Sequence, residues 1–252
     1  MISGACTALA FLTRLTIPCA GHGSLSHALP WFAPVGLILG LACVLPASIA
    51  AFCLEGNPLS PLLTGFVWFA CLVWCTRAMH LDALADLADA LGSQTTGERF
   101  QAILKDPHVG AFAVVSLFAL CLAQWLCASA HALAIFSPAH ALPLILAPAW
   151  GRGACLVLAS RGPASATSTL GRMVCQPGTE SLARWQYLWG VGCILLLWLA
   201  GCPLTRTALL LATQMALHAY LLRAAQRAGG LSGDILGADI ELSQTLFLLV
   251  TL

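Results

Sequence analysis

The chain is expected to fold as an all-α, polytopic transmembrane bundle of about seven spans, a single integral-membrane domain over residues 1–252. Three observations predict it. Of the 252 residues, 60% are hydrophobic and only 8% charged, with a mean hydropathy of +0.89, whereas soluble domains carry about 25% charged residues. Apolar runs recur at roughly 31–52, 61–79, 109–130, 141–160, 186–201 and 207–222, with a shorter one from about 240 to the C-terminus. Most are near the length of about 20 residues that a bilayer-crossing helix requires. Lastly, the basic residues are unevenly shared between the two sets of loops that such spans would create.

Taken in order, residues 1–18 form a short amphipathic segment interrupted by Arg14 and ending at Pro18. It is too short to predict a span and carries no convincing cleavable signal. Residues 19–30 read as a Gly/His/Ser connector. Pro34, Pro46, Pro143 and Pro148 fall in or near spans, where membrane helices tolerate them. With seven spans, loops 1–30, 80–108, 161–185 and 223–239, counted with the flanking Arg77 and Arg223, hold Arg14, Arg77, Arg99, Lys105, Arg161, Arg172, Arg184, Arg223 and Arg227. The opposite loops hold only Arg206. The first set is therefore expected to face the cytoplasm. A formal net charge of +1 makes no case for a nucleic-acid partner. The twelve cysteines show no zinc-type pairing. Cys71 and Cys75 stand one helical turn apart in an apolar run, where cysteine serves as a small hydrophobe.

The chemistry concentrates in two places. The first is R-A-M-H-L-D-A-L-A-D-L-A-D-A-L-G from Arg77, followed by K-D-P-H-V-G from Lys105. On a helix, at about 100° per residue, Asp82, Asp86 and Asp89 share one narrow face. Bare, they would repel one another. A divalent cation together with a phosphorylated substrate would relieve that repulsion, and an all-oxygen ligand set suits Mg2+. An aspartate stripe can also be a solvated helix face, but the poverty of charge elsewhere argues against it here. The second place is R-A-A-Q-R-A-G-G-L-S-G-D-I-L-G-A-D-I-E from Arg223 to Glu241. Its glycines, among them Gly230 and Gly233, would expose backbone N–H groups to an anion. Asp234, Asp239 and Glu241 add carboxylates, and Arg223 and Arg227 add phosphate-binding forks. Seven of the ten acidic residues lie at Asp82/86/89, Asp106 and Asp234/239/Glu241. In a membrane protein such charges mark function. Arg152, inside a span, is expected to face the bundle interior. Lys105, the single lysine, is a phosphate candidate, and His80 an acid/base candidate set against an ordinary structural role.

Four motifs then resemble the cobalamin synthase (adenosylcobinamide-GDP ribazoletransferase) family. They are F-L-T-R-L-T-I-P at 11–18, H-L-D-A-L-A-D-L-A-D-A at 80–90, K-D-P-H-V-G-A-F-A at 105–113 and G-G-L-S-G-D-I-L-G-A-D-I-E at 229–241. Their order and spacing carry the similarity over essentially the whole chain. The chain departs from the family pattern at Ala83 and Ala90 (usually Gly), His108 (usually Arg), Ser232 (Thr) and Gln244 (often Glu), and Asp239 is an additional acid. The resemblance implies that the ribose hydroxyl of α-ribazole, or of its 5′-phosphate, attacks the cobinamide-linked phosphorus of adenosylcobinamide-GDP. GMP leaves, in a late step of cobalamin biosynthesis. It implies Mg2+ held by Asp82, Asp86, Asp89 and Asp234, and phosphates held by Lys105, Arg223, Arg227, Gly230 and Gly233. His80 or Asp106 would take the hydroxyl proton, beside Asp82. Arg14, Arg77, Arg152, Asp239 and Glu241 are further candidates. Implied partners are these small molecules and the lipid bilayer, with other corrinoid-pathway proteins or self-association as further options. The rivals are another membrane-embedded magnesium–pyrophosphate phosphotransferase or prenyltransferase, whose N-D-x-x-D or D-G-x-x-A-R signatures the chain lacks, and a cation transporter, which would hold its carboxylates near the bilayer midplane.

Overall fold

The structure, a computed structural model, describes residues 2–18, 25–175 and 179–252. Twelve α-helices are seen among them: α1 Ile2–Leu12, α2 Leu25–Ala28, α3 Phe32–Cys53, α4 Ser60–Thr76, α5 Met79–Gly92, α6 Gly97–Ile103, α7 Ala111–Ala132, α8 Pro138–Ala159, α9 Thr169–Val174, α10 Thr179–Leu199, α11 Leu204–Arg227 and α12 Gly233–Val250. A 3-10 turn, Leu29–Trp31, joins α2 to α3. The described residues hold no strand, only an isolated parallel bridge between Ala164 and Leu231. The predicted connector at 19–30 is thus partly helical from Leu25; its first six residues lie outside the described part.

The chain is a multi-pass membrane protein. Five segments are long and apolar enough to cross a membrane: Leu25–Cys53, α7, α8, Ser181–Leu199 of α10, and α11. Helices α4 and α5 make a sixth if counted together, although they meet at 87°. The last predicted span differs most from expectation. It begins at Gly233 rather than near 240, and its first turns carry Asp234, Asp239 and Glu241. The Gly-rich stretch reads as a loop in sequence because glycine and aspartate disfavour helix interiors. Ser232 overrides this locally, accepting the Ile235 N–H as an N-cap, and most of the helix is then buried among its neighbours.

Helix α8 is the axis of the bundle. It is buried from Pro143 to Ala159 apart from the half-buried Ile145, and α3, α10 and α12 all pack on it. The closest of these approaches is made by small residues: a side chain at Gly40 would collide with the backbone of Ile145, and one at Gly151 with that of Ile240. Small residues serve this purpose in membrane bundles, where lipid is as apolar as leucine and packing must supply the attraction. The outer face is apolar, with Ile38, Leu45, Phe52, Phe118, Leu188 and Leu199 exposed.

Hydrogen bonds define two ends of the bundle. At one, the Arg14 N–H reaches the Cys75 carbonyl and the Leu231 N–H reaches that of Pro163. There too, Gln101 Nε2 donates to the Ala228 carbonyl, and Arg161 donates to the Tyr187 hydroxyl. At the other end Arg206 donates to the Thr251 carbonyl, 3.2 Å, and His131 sits 3.3 Å from the Leu248 carbonyl. Loops 80–108, 161–185 and 223–239, which carry most of the basic residues, thus meet at one end, and Arg206 lies at the other.

Candidate active site

The turn between α4 and α5 sets the site. Arg77 and Ala78 both adopt left-handed backbone, with φ of 57° and 54°. Such a conformation costs a non-glycine residue on the order of 1 kcal/mol or more. It sends α5 off at 87° and puts Asp82 in the first turn of the new helix, where the positive end of the helix dipole favours a carboxylate. Helix α12 then lies directly against α5. A Cβ on Gly237 would come within 2.6 Å of the Ala83 Cβ, so only glycine permits this approach. The alanine that replaces the family's glycine at position 83 is accommodated at that contact.

The crossing brings the first turns of α5 and α12 to one cavity of about 260 Å³, lined by His80, Asp82, Ala83, Ser168, Gly233 and Asp234, with Phe11, Leu12 and Phe32 at its apolar side. Asp82, Asp89 and Asp234 all bear electrostatically on Asp86, and Lys105 bears on Asp234. The carboxylates predicted on one face of α5 are therefore joined by Asp234 from far along the chain. They do not form a closed cage. Among the described residues, no three acidic side chains place ligand oxygens within 4.8 Å of one another. Asp82 is exposed, and Asp86 and Asp234 are half-buried. An open bowl of hard oxygen donors fits Mg2+, which keeps several waters and completes its shell with substrate phosphate.

Several predicted residues have other work. Both oxygens of Asp89 accept backbone N–H groups, from Gly110 at 2.6 Å and Ala113 at 2.9 Å. Asp89 thus caps the N-terminus of α7. It also explains Gly110 of the K-D-P-H-V-G motif, where a Cβ would lie 2.5 Å from the Asp89 carboxylate. Arg227 donates from Nε and a terminal nitrogen to the Thr95 carbonyl, 3.2 and 3.0 Å, and lies over the Phe100 ring. It pins the α5–α6 connection rather than standing open to phosphate, whereas Arg223 and Lys105 are exposed. Arg14 stacks 4.1 Å over Trp74, and Arg77 donates to the Phe11 carbonyl. Together they strap the end of α1 beside the cavity. Asp106 is exposed and outside the cavity lining. The His108 N–H, and then its Nδ1, hold the Asp106 carboxyl below the usual carboxylate range.

The glycine loop also departs from expectation. Its N–H groups are not open to an anion. Gly230 is buried, its N–H donates to the Ala225 carbonyl, and a side chain there would strike the Ala164–Ser165 backbone. The Gly233 N–H donates to Ser168 Oγ. Asp239 and Glu241, predicted as company for Asp234, are buried inside the bundle. Asp239 accepts from Ser243 at 2.9 Å and lies 3.3 Å from His218 Nε2. Glu241 accepts from Gln124 at 2.8 Å and lies 3.8 Å from His80 Nδ1. Arg152, 1% exposed, donates to the Pro148 carbonyl and bears electrostatically on Glu241. At about 100° per residue, Glu241 falls on the Asp234 face two turns further along α12, while Asp239 points elsewhere.

Two contributors escaped the sequence reading. Ser168 caps α9 by accepting the Gly171 N–H and also receives Gly233, so one hydroxyl ties two helix starts at the cavity. Gln101 joins α6 to the end of α11 and accepts from Thr167. The signal available for Ser168 was a serine three residues ahead of a glycine in S-T-L-G, which is too common to single out.

A family model of cobalamin-5-phosphate synthases matches residues 4–252. The adenosylcobinamide-GDP ribazoletransferase of Nitratidesulfovibrio vulgaris (strain DP4) is 39% identical over 237 residues, covering 92% of this chain and 90% of its own. The same-named protein of Thiobacillus denitrificans is 36% identical, covering 98% and 94%, and that of Laribacter hongkongensis 34%, covering 96% and 93%. No solved structure matches the chain. With a match over nearly its whole length, and with residues of three of the four motifs lining one cavity, the chain belongs to the cobalamin-5-phosphate synthase family.

Proposed function

We propose that the protein is an adenosylcobinamide-GDP ribazoletransferase of the bacterial inner membrane, with its site on the cytoplasmic side. The observation that carries the reading is that Asp82 and Asp234, from helices far apart in the chain, line one cavity at the end of the bundle reached by the basic loops, with Asp86 and Lys105 coupled to them electrostatically. The concentration of Arg and Lys at that end supports the cytoplasmic orientation. The donor carries a pyrophosphate, whose clustered negative charge needs cationic partners. Asp82, Asp86 and Asp234 would hold Mg2+, with Asp89 behind them fixing the start of α7. The ion, when bound, neutralises phosphate charge and lowers the cost of the departing GMP.

The chain's own groups do the remainder. Lys105 and the exposed Arg223 draw the phosphates to the rim. Phe11, Leu12 and Phe32 give the cavity an apolar wall. The pyrophosphate and the acceptor ribose would occupy the cavity, with the macrocycle outside it at the membrane surface. Of the two proton acceptors predicted, His80 lies on the cavity and Asp106 does not. His80 Nδ1 lies 3.8 Å from Glu241 without a hydrogen bond, and the buried neutral imidazole would be the group that takes the hydroxyl proton.

The test is GMP release by the purified, lipid-reconstituted protein given adenosylcobinamide-GDP, α-ribazole and Mg2+. Turnover is expected, and is expected to vanish with a chelator or with Asp82→Asn. Turnover that persists at full rate in both would remove the metal role. No turnover by folded wild type on either α-ribazole or its 5′-phosphate would sink the activity.

A further inference from the structure

Helices α3 and α4 bring Cys43 to two thiols, Cys71 and Cys75, that lie far from it in the sequence. Cys43 comes from the middle of α3, and Cys71 and Cys75 from successive turns at the end of α4. Their sulfur atoms all lie within 4.8 Å of one another. Among the described residues this is the only such grouping of Cys, His, Asp or Glu. All three cysteines are free, Cys43 buried and the other two half-buried. The one other polar contact is long and weak, Cys71 Sγ to the Ala42 carbonyl at 4.0 Å.

We propose that Cys43, Cys71 and Cys75 form a three-sulfur binding site for a soft monovalent cation, copper(I) being the physiological example. Three features select that class. Sulfur-only ligands favour soft ions over magnesium or calcium. Structural zinc is almost always four-coordinate, and no fourth ligand of those residue types joins the group. Net charge away from water is costly, and the Arg152 and Arg14 charges, which bear on Cys43 and Cys75, oppose a divalent cation more than a monovalent one. A monovalent ion that displaces a single thiol proton to solvent leaves the site neutral, held by one thiolate and two thiols, whereas a divalent ion would have to displace two. An ion here would fasten the end of α4 to α3, immediately ahead of the left-handed Arg77–Ala78 turn that aims α5. The inference does not depend on the transferase reading.

The experiment is an anaerobic copper(I) titration of the reduced, full-length protein in detergent against a chromogenic copper(I) chelator. The baseline is the Cys43→Ala/Cys71→Ala/Cys75→Ala variant, because nine other cysteines remain. We expect one more tightly bound ion per chain in wild type than in the baseline. Cys71→Ala should weaken that ion by about ten-fold or more, and Cys53→Ala should not. X-ray absorption at one equivalent should show a sulfur-only shell. Should the triple variant fail to fold, Cys71→Ser and Cys71→Ala, at a half-buried position, decide the matter by the same titration. Equal stoichiometry in wild type and variants, or a nitrogen or oxygen shell, would overturn the site and leave the three cysteines as packing residues.

Discussion

Helix α12 carries carboxylates to two regions with opposite fates. Asp234, in its first turn, faces a cavity; it accepts a hydrogen bond from Ser232, and Asp82, which repels it, and Lys105 bear on it electrostatically. Asp239 and Glu241, further along the helix, are enclosed by Ser243, His218 and Gln124. The interior carboxylates face only protein groups, Glu241 accepting from Gln124 and Asp239 from Ser243, with Asp239 Oδ2 turned to His218. The cavity carboxylates are answered incompletely, and incompletely neutralised charge is what a cation and a pyrophosphate can use. The difference teaches that an acidic residue in a membrane protein is read by its partners: a satisfied one builds the scaffold, and a repelling group at an opening points to a ligand.

The largest expected effect falls on the cavity. Asp234→Asn should lower kcat/KM for GMP release by about 1,000-fold, roughly 4 kcal/mol, with a thermal midpoint equal to or above that of wild type because a repelling charge is gone. A lowered midpoint with the activity of folded protein retained would move Asp234 into the scaffold class. Asp239→Ala should behave in the opposite sense. It strips partners from buried His218 and Ser243 and should destabilise by about 3 kcal/mol, read by thermal unfolding in detergent, while the fraction that stays folded keeps turning over. If its stability is unchanged and turnover is lost, the interior network belongs to the reaction. Asp89→Asn tests the boundary between the two regions. Replacing one oxygen by an amide leaves either the Gly110 or the Ala113 N–H without its acceptor, so a loss of about 1 kcal/mol is expected, in the range of a helix-cap substitution. A shift in the Mg2+ concentration for half-maximal rate well beyond that would show that Asp89 also ligates.

Much of this was legible without coordinates. The low charge content and the repeated apolar runs specify a membrane bundle, since a chain so poor in charge cannot cover a water-exposed surface. The spacing of Asp82, Asp86 and Asp89 specifies a common face, because helical geometry is local. The one-sided basic loops predict the end at which the site lies.

What required the tertiary structure was every statement about partners. The G-G-L-S-G-D stretch looks like an open anion cradle, yet Gly230 lies beneath the Ala164–Ser165 backbone and Gly237 exists to let α12 meet α5. Arg227 and Asp89 look like ligands, yet their hydrogen bonds go to Thr95 and to the start of α7. Cys43 is unremarkable in sequence until α3 sets it beside Cys71 and Cys75. The reason is physical. Periodicity and composition are properties of neighbouring residues, whereas the hydrogen-bond partner, the close approach and the convergence of charges depend on which helices pack together, and that is settled only when the whole bundle closes around α8.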